Sequence, residues 1–197
     1  MSKLERLITP IGEAKWAHVH KPKAGYKDEQ TGRQGPDKYQ IDVCFDPTKE
    51  PEWKKWMDDL MKEFAAIPQQ KDKDGDPIKK QKPLKREVDE SDKPTGRLFA
   101  TFKTGAEYRP GVFDKYKQVI PETVLIGNGS KVRVNYSPST FEGFGGGINF
   151  YLNAVQVMEL VEFQSKNADA YGFSGEPAPT DEQAAASKPV EDDNIPF

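Results

Sequence analysis

Lys38-Tyr39-Gln40-Ile41-Asp42-Val43-Cys44-Phe45, followed directly by Asp46-Pro47-Thr48-Lys49-Glu50-Pro51, is the stretch that decides the fold of this chain. Apolar side chains alternate from Tyr39 to Phe45, which is the period of a β-strand with one buried face. The short polar residues and prolines that follow are typical of the first turn of a helix. The sequence therefore predicts a strand over 38–45 that leads directly into a helix.

The predicted helix is amphipathic. Its apolar residues recur at i, i+3, i+4, i+7, i+8 and i+11, and charged residues cover the opposite face. The apolar positions are Trp53, Trp56, Met57, Leu60, Met61 and Phe64. This stripe predicts a face that packs against a sheet rather than a ligand-binding site.

Further strands are expected on both sides of this unit. Alternation predicts strands over 12–20, 97–103, 131–136 and 148–163, the last bent or divided in two. Glycine-rich and charged loops separate them, and residues 68–94 form a long charged excursion. Five or six strands with one amphipathic α-helix and long loops predict a mainly β fold, an OB-fold-like partly open barrel.

Two of these strands carry unusual faces. The alternation over 12–20 places on one face Ala14, Trp16, His18 and His20. It does not decide which face is inward, so Trp16 is either a core residue or a residue that stacks on a base. The alternation over 97–103 places on one face Arg97, Phe99, Thr101 and Lys103. The second face combines cations, a hydroxyl group and an aromatic ring, whereas Leu98, Ala100 and Phe102 on the other side suit a core.

Composition changes sharply near residue 166. Residues 166–197 are rich in Ala, Gly, Pro, Ser, Asp and Glu and poor in bulky apolar residues, the composition of a segment that does not fold alone. We predict one domain over 1–165 and a flexible acidic tail over 166–197. The tail contains seven acids and two lysines, so the total formal charge of −3 leaves the body with about +2. A basic surface on this body has to be local.

Three motifs that suggest metals or nucleotides are incomplete. His18 and His20, the two histidines of the chain, form a His-x-His pair without further ligands at a zinc spacing. In Asp72-Lys73-Asp74-Gly75-Asp76 the glycine stands too early for a calcium loop, and Gly143-Phe144-Gly145 lacks the lysine and helix of a phosphate loop. We expect no metal, no cofactor and no catalytic residues.

Neither a membrane span nor a signal peptide is expected from the apolar runs. A single cysteine, Cys44, permits no internal disulfide and agrees with a reducing compartment. The expectation is a cytoplasmic protein.

The end of the chain carries the sharpest motif. Asp192-Asp193-Asn194-Ile195-Pro196-Phe197 resembles the C-terminal tip of bacterial single-stranded DNA-binding proteins, except that Asn194 stands where another acid is common. The resemblance implies that this tip docks onto replication or repair proteins. The implied docking residues are Asp192, Asp193, Ile195, Pro196 and Phe197. A terminal aromatic ring, its carboxylate and nearby acids suit an apolar pocket with a basic rim.

Three stretches of the body resemble a second family. Ala14 to Pro22, Arg97 to Lys103 and Gly147 to Val157 are similar to bacteriophage single-stranded DNA-binding proteins of the T7-like type, which have an OB-fold. That family ends in acids and an aromatic residue but lacks Ile-Pro, so the chain combines a phage-like body with a host-like tip. The resemblance implies a non-enzymatic protein that coats single-stranded DNA without sequence readout during replication, recombination and repair.

Binding of single strands requires aromatic faces for the bases and cations for the backbone. The candidate DNA-binding residues with these properties are Trp16, Arg97, Phe99, Lys103, Tyr108, Arg109, Tyr116, Lys131, Arg133 and Phe144. A further stretch, residues 79–86, places five positive charges in eight residues. It is either a phosphate-tracking segment or a solvated loop.

Two other hypotheses remain open at this stage. In the first, the chain is a replisome adaptor that binds only protein. In the second, it is a metal-dependent nuclease that uses His18, His20 and scattered acids. If it binds DNA, a tether of roughly 30 residues spans about 30 Å. The acidic tip can then reach a basic groove on the same molecule and occupy it until DNA displaces it.

Overall fold

The computed structural model describes residues 5–89 and 91–163. The predicted tail over 166–197 lies outside the described residues, and so do its docking residues Asp192, Asp193, Ile195, Pro196 and Phe197. The division of the chain at residue 165 therefore stays a prediction.

The described residues contain eight strands and one α-helix. The strands are β1 (Leu7–Ile8), β2 (Gly12–Lys23), β3 (Lys38–Phe45), β4 (Leu84–Val88), β5 (Pro94–Gly105), β6 (Gly111–Asp114), β7 (Lys131–Phe141) and β8 (Gly147–Glu159). Helix α1 (Pro51–Ala66) follows β3, with Pro51 in its first turn, as the sequence predicts.

Five of the strands form a partly closed sheet. β2 pairs with β3 and β3 with β5, both antiparallel, and β7 pairs antiparallel with both β8 and β2. The circuit is completed by β8, which pairs in parallel with β5 at Lys103 and Tyr151. The resulting order, β2-β3-β5-β8-β7 and back to β2, is that of an OB-fold. The predicted mainly β, OB-fold-like architecture is confirmed.

The inward faces of these strands meet in an aromatic core that α1 covers. The Trp53 ring stacks on Phe45 with a centroid separation of 4.2 Å, and Trp56 contacts Phe150 at 5.9 Å. Both indole N–H groups are satisfied, because Trp53 donates to the Ile11 carbonyl at 2.7 Å and Trp56 to the Tyr136 hydroxyl at 2.8 Å. The apolar stripe of the helix therefore packs against the sheet, as predicted.

Two sequence-based expectations are wrong in detail. The simple alternation over 12–20 fails, because the β2–β3 register shifts between Lys15 and His18 and both Ala14 and Val19 enter the core. The backbone of Trp16, at φ +51°, absorbs this shift. The charged excursion over 68–94 is also not wholly a loop, since β4 lies within it and pairs with β5. No helix among the described residues is long and apolar enough to cross a membrane.

Candidate nucleic-acid interface

The outer face of β3 and β5 is a mixed polar and aromatic surface. In the antiparallel register Gln40 lies opposite Lys103, Asp42 opposite Thr101 and Cys44 opposite Phe99. Directly opposed residues point to the same side of a sheet. Ile41 and Phe102, which oppose each other on the other side of the sheet, are fully buried in the core. The predicted division of β5 into a core face and an outer face is confirmed.

Strand β4 extends this outer surface and bends over it. Lys85 lies opposite Phe99, and its Nζ atom is 6.0 Å from the centroid of the Phe99 ring. Glu87, two residues further on, reaches across to Lys15 on β2. The bend leaves two adjoining grooves that share Asp42 and Phe99.

The first of these two grooves is here called the Glu87 groove. Its positive side chains are paired with nearby carboxylates. Arg97 lies between two carboxylates, 3.3 Å from Glu13 and 3.6 Å from Glu87, and Lys131 lies 3.6 Å from Glu13. Burial tends to raise the pKa of Glu87, but hydrogen bonds from Lys15 and Thr95 lower it below its ordinary value. Two of the predicted DNA-binding cations, Arg97 and Lys131, are thus engaged with acids.

The second depression, here called the Lys103 groove, carries uncompensated positive charge. Its described lining includes three lysines and one acid, namely Lys82, Lys85, Lys103 and Asp42. Partial burial and then the charges of Lys38 and Lys85 lower the pKa of Lys103, because like charges nearby disfavour its protonated form. Within the described residues Lys38, Lys82, Lys85 and Lys103 form no ion pair.

Asp42 is a nearly buried carboxyl group that lines this groove. Only 9% of its surface is exposed, and its Oδ1 atom has no hydrogen-bond partner among the described residues. Burial raises the pKa of Asp42, although Thr101, Lys85 and Lys23 act in the opposite direction. Asp42 is therefore a buried carboxyl group among the lysines of the Lys103 groove, and its ionisation is opposed by burial.

Aromatic side chains lie at the middle and both ends of this surface. Phe99, half-buried, lines both grooves, and Trp16, which is 63% exposed, lines the Glu87 groove. Phe144 is 86% exposed on a short turn at Gly143–Gly145. The Gln81 N–H donates to the Gly146 carbonyl at 2.9 Å, and Gln81 lines the Lys103 groove, so this turn borders that groove.

The remaining predicted residues line neither groove. Tyr108 and Arg109 line a separate depression with Tyr151, and Arg109 pairs with Glu122. Tyr116 is exposed in the turn after β6, and Arg133 lies on β7 opposite Gln156. The structure thus brings together four of the predicted residues in the two grooves, namely Trp16, Arg97, Phe99 and Lys103. It places Lys131 and Phe144 at the margins of the grooves. The residues that lie away from both grooves are Tyr108, Arg109, Tyr116 and Arg133.

Sequence reasoning missed part of this surface. Lys38, Gln40 and Asp42 join it through the β3–β5 register, and Lys85 joins it through β4. The alternation of β3 already assigned Gln40 and Asp42 to the face opposite the core, which is the signal that identifies them. Among the described residues no group of three or more His, Cys, Asp and Glu side chains is arranged to hold a metal ion.

The strand order and this basic, aromatic outer face define an OB-fold-like protein. No protein-family model matches the sequence, and no curated protein matches it. The fold is similar to that of gp2.5, a single-stranded DNA binding protein encoded by bacteriophage T7, with a TM-score of 0.57 and 18% identity over 90% of this chain and 98% of that chain. It is also similar to the single-stranded DNA-binding protein from bacteriophage Enc34 in complex with ssDNA, with a TM-score of 0.56 and 20% identity over 78% of this chain and 86% of that chain. The likeness of the body to T7-like phage proteins is confirmed at the level of the fold.

Proposed function

We propose that this chain is a non-enzymatic, sequence-independent single-stranded DNA-binding protein that coats and protects DNA strands in phage replication, recombination and repair. The observation that carries the proposal is the Lys103 groove, where Phe99 lines the same depression as three lysines without ion pairs among the described residues and lies beside one of them, Lys85. Two structures of similar fold, those from bacteriophages T7 and Enc34, are of single-stranded DNA-binding proteins.

In the proposed complex, phosphates lie along Lys38, Lys85 and Lys103, and a base stacks on Phe99. Such a site recognises a π face and a phosphate, which every nucleotide has, so binding depends little on sequence. Gln40 and Thr101 supply neutral hydrogen-bonding groups on the same face. A duplex hides its base faces by stacking, so it offers only its phosphates to this groove.

The acidic tip has a separate role in this proposal. Asp192, Asp193, Ile195, Pro196 and Phe197 recruit a replication or repair protein, through an apolar anchor and its terminal carboxylate. When DNA is absent, the tip occupies the basic groove of its own chain. The support for the second role is the charge of the tip and the lysines of the groove, which are unpaired within the described part of the chain, whereas the first role rests on the resemblance of the tip to that of bacterial single-stranded DNA-binding proteins.

The test is a fluorescence anisotropy titration of labelled oligo-dT and of a hairpin duplex at several salt concentrations. The proposal expects tight oligo-dT binding, weak duplex binding and a log-log salt slope of about −0.7 for each phosphate contacted. Equal affinity for duplex and oligo-dT would contradict single-strand selectivity. Absence of binding, even for a chain that lacks residues 191–197, would favour the adaptor that binds only protein.

A further inference from the structure

A further pocket, which is more apolar than the Glu87 groove, adjoins that groove. It has a volume of about 420 Å³, within the range of small-molecule sites, and its walls include Ala17, Leu125 and Phe163. Trp16 and Asn128 line both this pocket and the Glu87 groove. The groove and the pocket therefore meet at Trp16 and Asn128.

A buried histidine, His20, lines this pocket and has no hydrogen-bond partner within the part of the chain that the structure describes. His20 is only 6% exposed, and neither its Nδ1 nor its Nε2 atom has a hydrogen-bond partner among the described residues. Burial, and then the charge of Arg109, lower the pKa of His20, so the ring is neutral and offers one donor and one acceptor. Neither nitrogen is accessible to solvent in this conformation, so a ligand in the pocket pairs with them only when the imidazole ring turns toward it. Buried polar groups are rarely left unpaired, which favours such a turn when a ligand is bound.

The backbone of Trp16 is also unusual. It has a φ of +51°, a left-handed conformation that disfavours a residue with a bulky side chain. The Trp16 N–H donates to the Asn128 side-chain oxygen at 2.9 Å, which holds this conformation. Local strain of this kind tends to occur at binding sites. Here it keeps the indole out of the core and at the junction of groove and pocket.

We propose that this pocket, here called the Trp16 pocket, takes one nucleobase of the strand that is bound in the grooves. The base lies against the apolar wall of Ala17 and Leu125, and its edge hydrogen-bonds to the imidazole of His20 once that ring turns toward the pocket. Lys21, which is exposed and also lines the pocket, faces the phosphate of the same nucleotide. This proposal rests on the proposed function, because it concerns the same bound strand.

A nucleobase fits the pocket better than an apolar side chain does. A planar heterocycle carries donors and acceptors on one edge, which pair with neutral imidazole, and a π face, which suits a wall rich in carbon. An aliphatic group from a protein partner would leave both His20 nitrogens unpaired. The continuity with the groove at Trp16 favours the strand as the source of the ligand.

The test uses the shortest oligo-dT that retains full affinity, with a single abasic site moved along it. In the wild-type protein, loss of the pocket base is expected to weaken binding at least about fivefold, the low end for one stacked base. Ala17→Leu fills the pocket and is expected to abolish the sensitivity at that position. Phe99→Ala is expected to remove the sensitivity at a different position.

Two further variants keep the experiment decisive. Ala65→Leu adds the same side chain at an exposed position of α1 and is expected to leave the abasic profile unchanged. Leu125→Ser alters the exposed pocket wall and replaces Ala17→Leu if that variant does not fold. A wild-type abasic profile in the variant that fills or alters the pocket would overturn the proposal. Failure of the proposed function looks different, because the wild-type chain would then bind no oligo-dT.

Discussion

The ammonium group of Lys85 lies 6.0 Å from the centroid of the Phe99 ring, above the outer face of the sheet. The two residues belong to paired strands, β4 and β5, and directly oppose each other. A cation beside an aromatic face matches a nucleotide, whose base stacks while its phosphate pairs with the cation. The geometry of this pair leads to the first prediction.

Phe99→Ala is expected to weaken oligo-dT binding by about 1 to 3 kcal/mol, since one stacking surface is lost. This corresponds to roughly 5- to 150-fold in Kd, measured by anisotropy at fixed salt. Tyr116→Ala is the matched control, because it removes an exposed aromatic ring that lines neither groove. A larger loss for Tyr116→Ala than for Phe99→Ala would place the strand elsewhere.

Lys103→Met is expected to reduce the magnitude of the log-log salt slope by about 0.7, because one phosphate contact disappears. Lys62→Met removes a lysine from the exposed face of α1, where Lys62 pairs with Asp59 at 3.1 Å. The slope of this control is expected to equal that of the wild-type protein. An unchanged slope for Lys103→Met would show that Lys103 contacts no phosphate.

Asp42→Asn is expected to raise Tm at pH 7. The folded-state pKa of Asp42 lies above the unfolded value of about 3.9, so ionisation costs the folded state free energy. This penalty is absent below the unfolded pKa and develops as pH rises through the folded pKa. The gain in Tm should therefore vanish near pH 3. Asp74→Asn is the control, because this residue is exposed and its substitution should change Tm little at either pH. A lower Tm for Asp42→Asn at pH 7 would contradict this account.

Cys44 is expected to resist thiol reagents in the folded protein. The residue is 2% exposed, and burial raises the pKa of its thiol to about 12, so almost no thiolate exists at pH 8. Reaction with Ellman's reagent should be slow in buffer and fast in denaturant. Rapid reaction without denaturant would show that β3 opens or that the outer face is less covered than described.

Deletion of residues 191–197 is expected to tighten oligo-dT binding at low salt, because the tip no longer competes for the Lys103 groove. The difference should shrink as salt screens the charges. A further variant replaces Asp192 and Asp193 by Asn and retains the terminal Phe197. It distinguishes the effect of the charges of the tip from the effect of its docking residue. Equal affinity of the full and shortened chains at low salt would contradict this competition.

The periodicity of apolar residues was sufficient to predict those elements that carry a clear pattern of their own. Strand β3, helix α1 and the outer face of β5 follow from alternation or from the i, i+3, i+4 spacing of their apolar residues. These elements place Phe99 and Lys103 on one surface. The fold class follows from their number and from the length of the loops.

Long-range pairing was beyond the reach of these patterns. Strand β4 has only five residues, with the sequence Leu-Lys-Arg-Glu-Val, whose charges hide its alternation. The ion pairs of Arg97 with Glu13 and Glu87 depend on the registers of three strands. The bulge at Trp16 also depends on its bond to the distant Asn128. No periodicity within one segment specifies such contacts.

The central claim, that a single strand lies across Phe99 and the lysines around it, is tested most directly by photo-crosslinking. An oligonucleotide that carries 5-iodouracil is irradiated with the full chain, and the modified peptide is identified by mass spectrometry. The account predicts adducts on β5 at Phe99, with Trp16 or Phe144 as secondary sites, and loss of the β5 adduct at high salt. Adducts confined to Tyr108 or Tyr116, or none under conditions of binding, would contradict it.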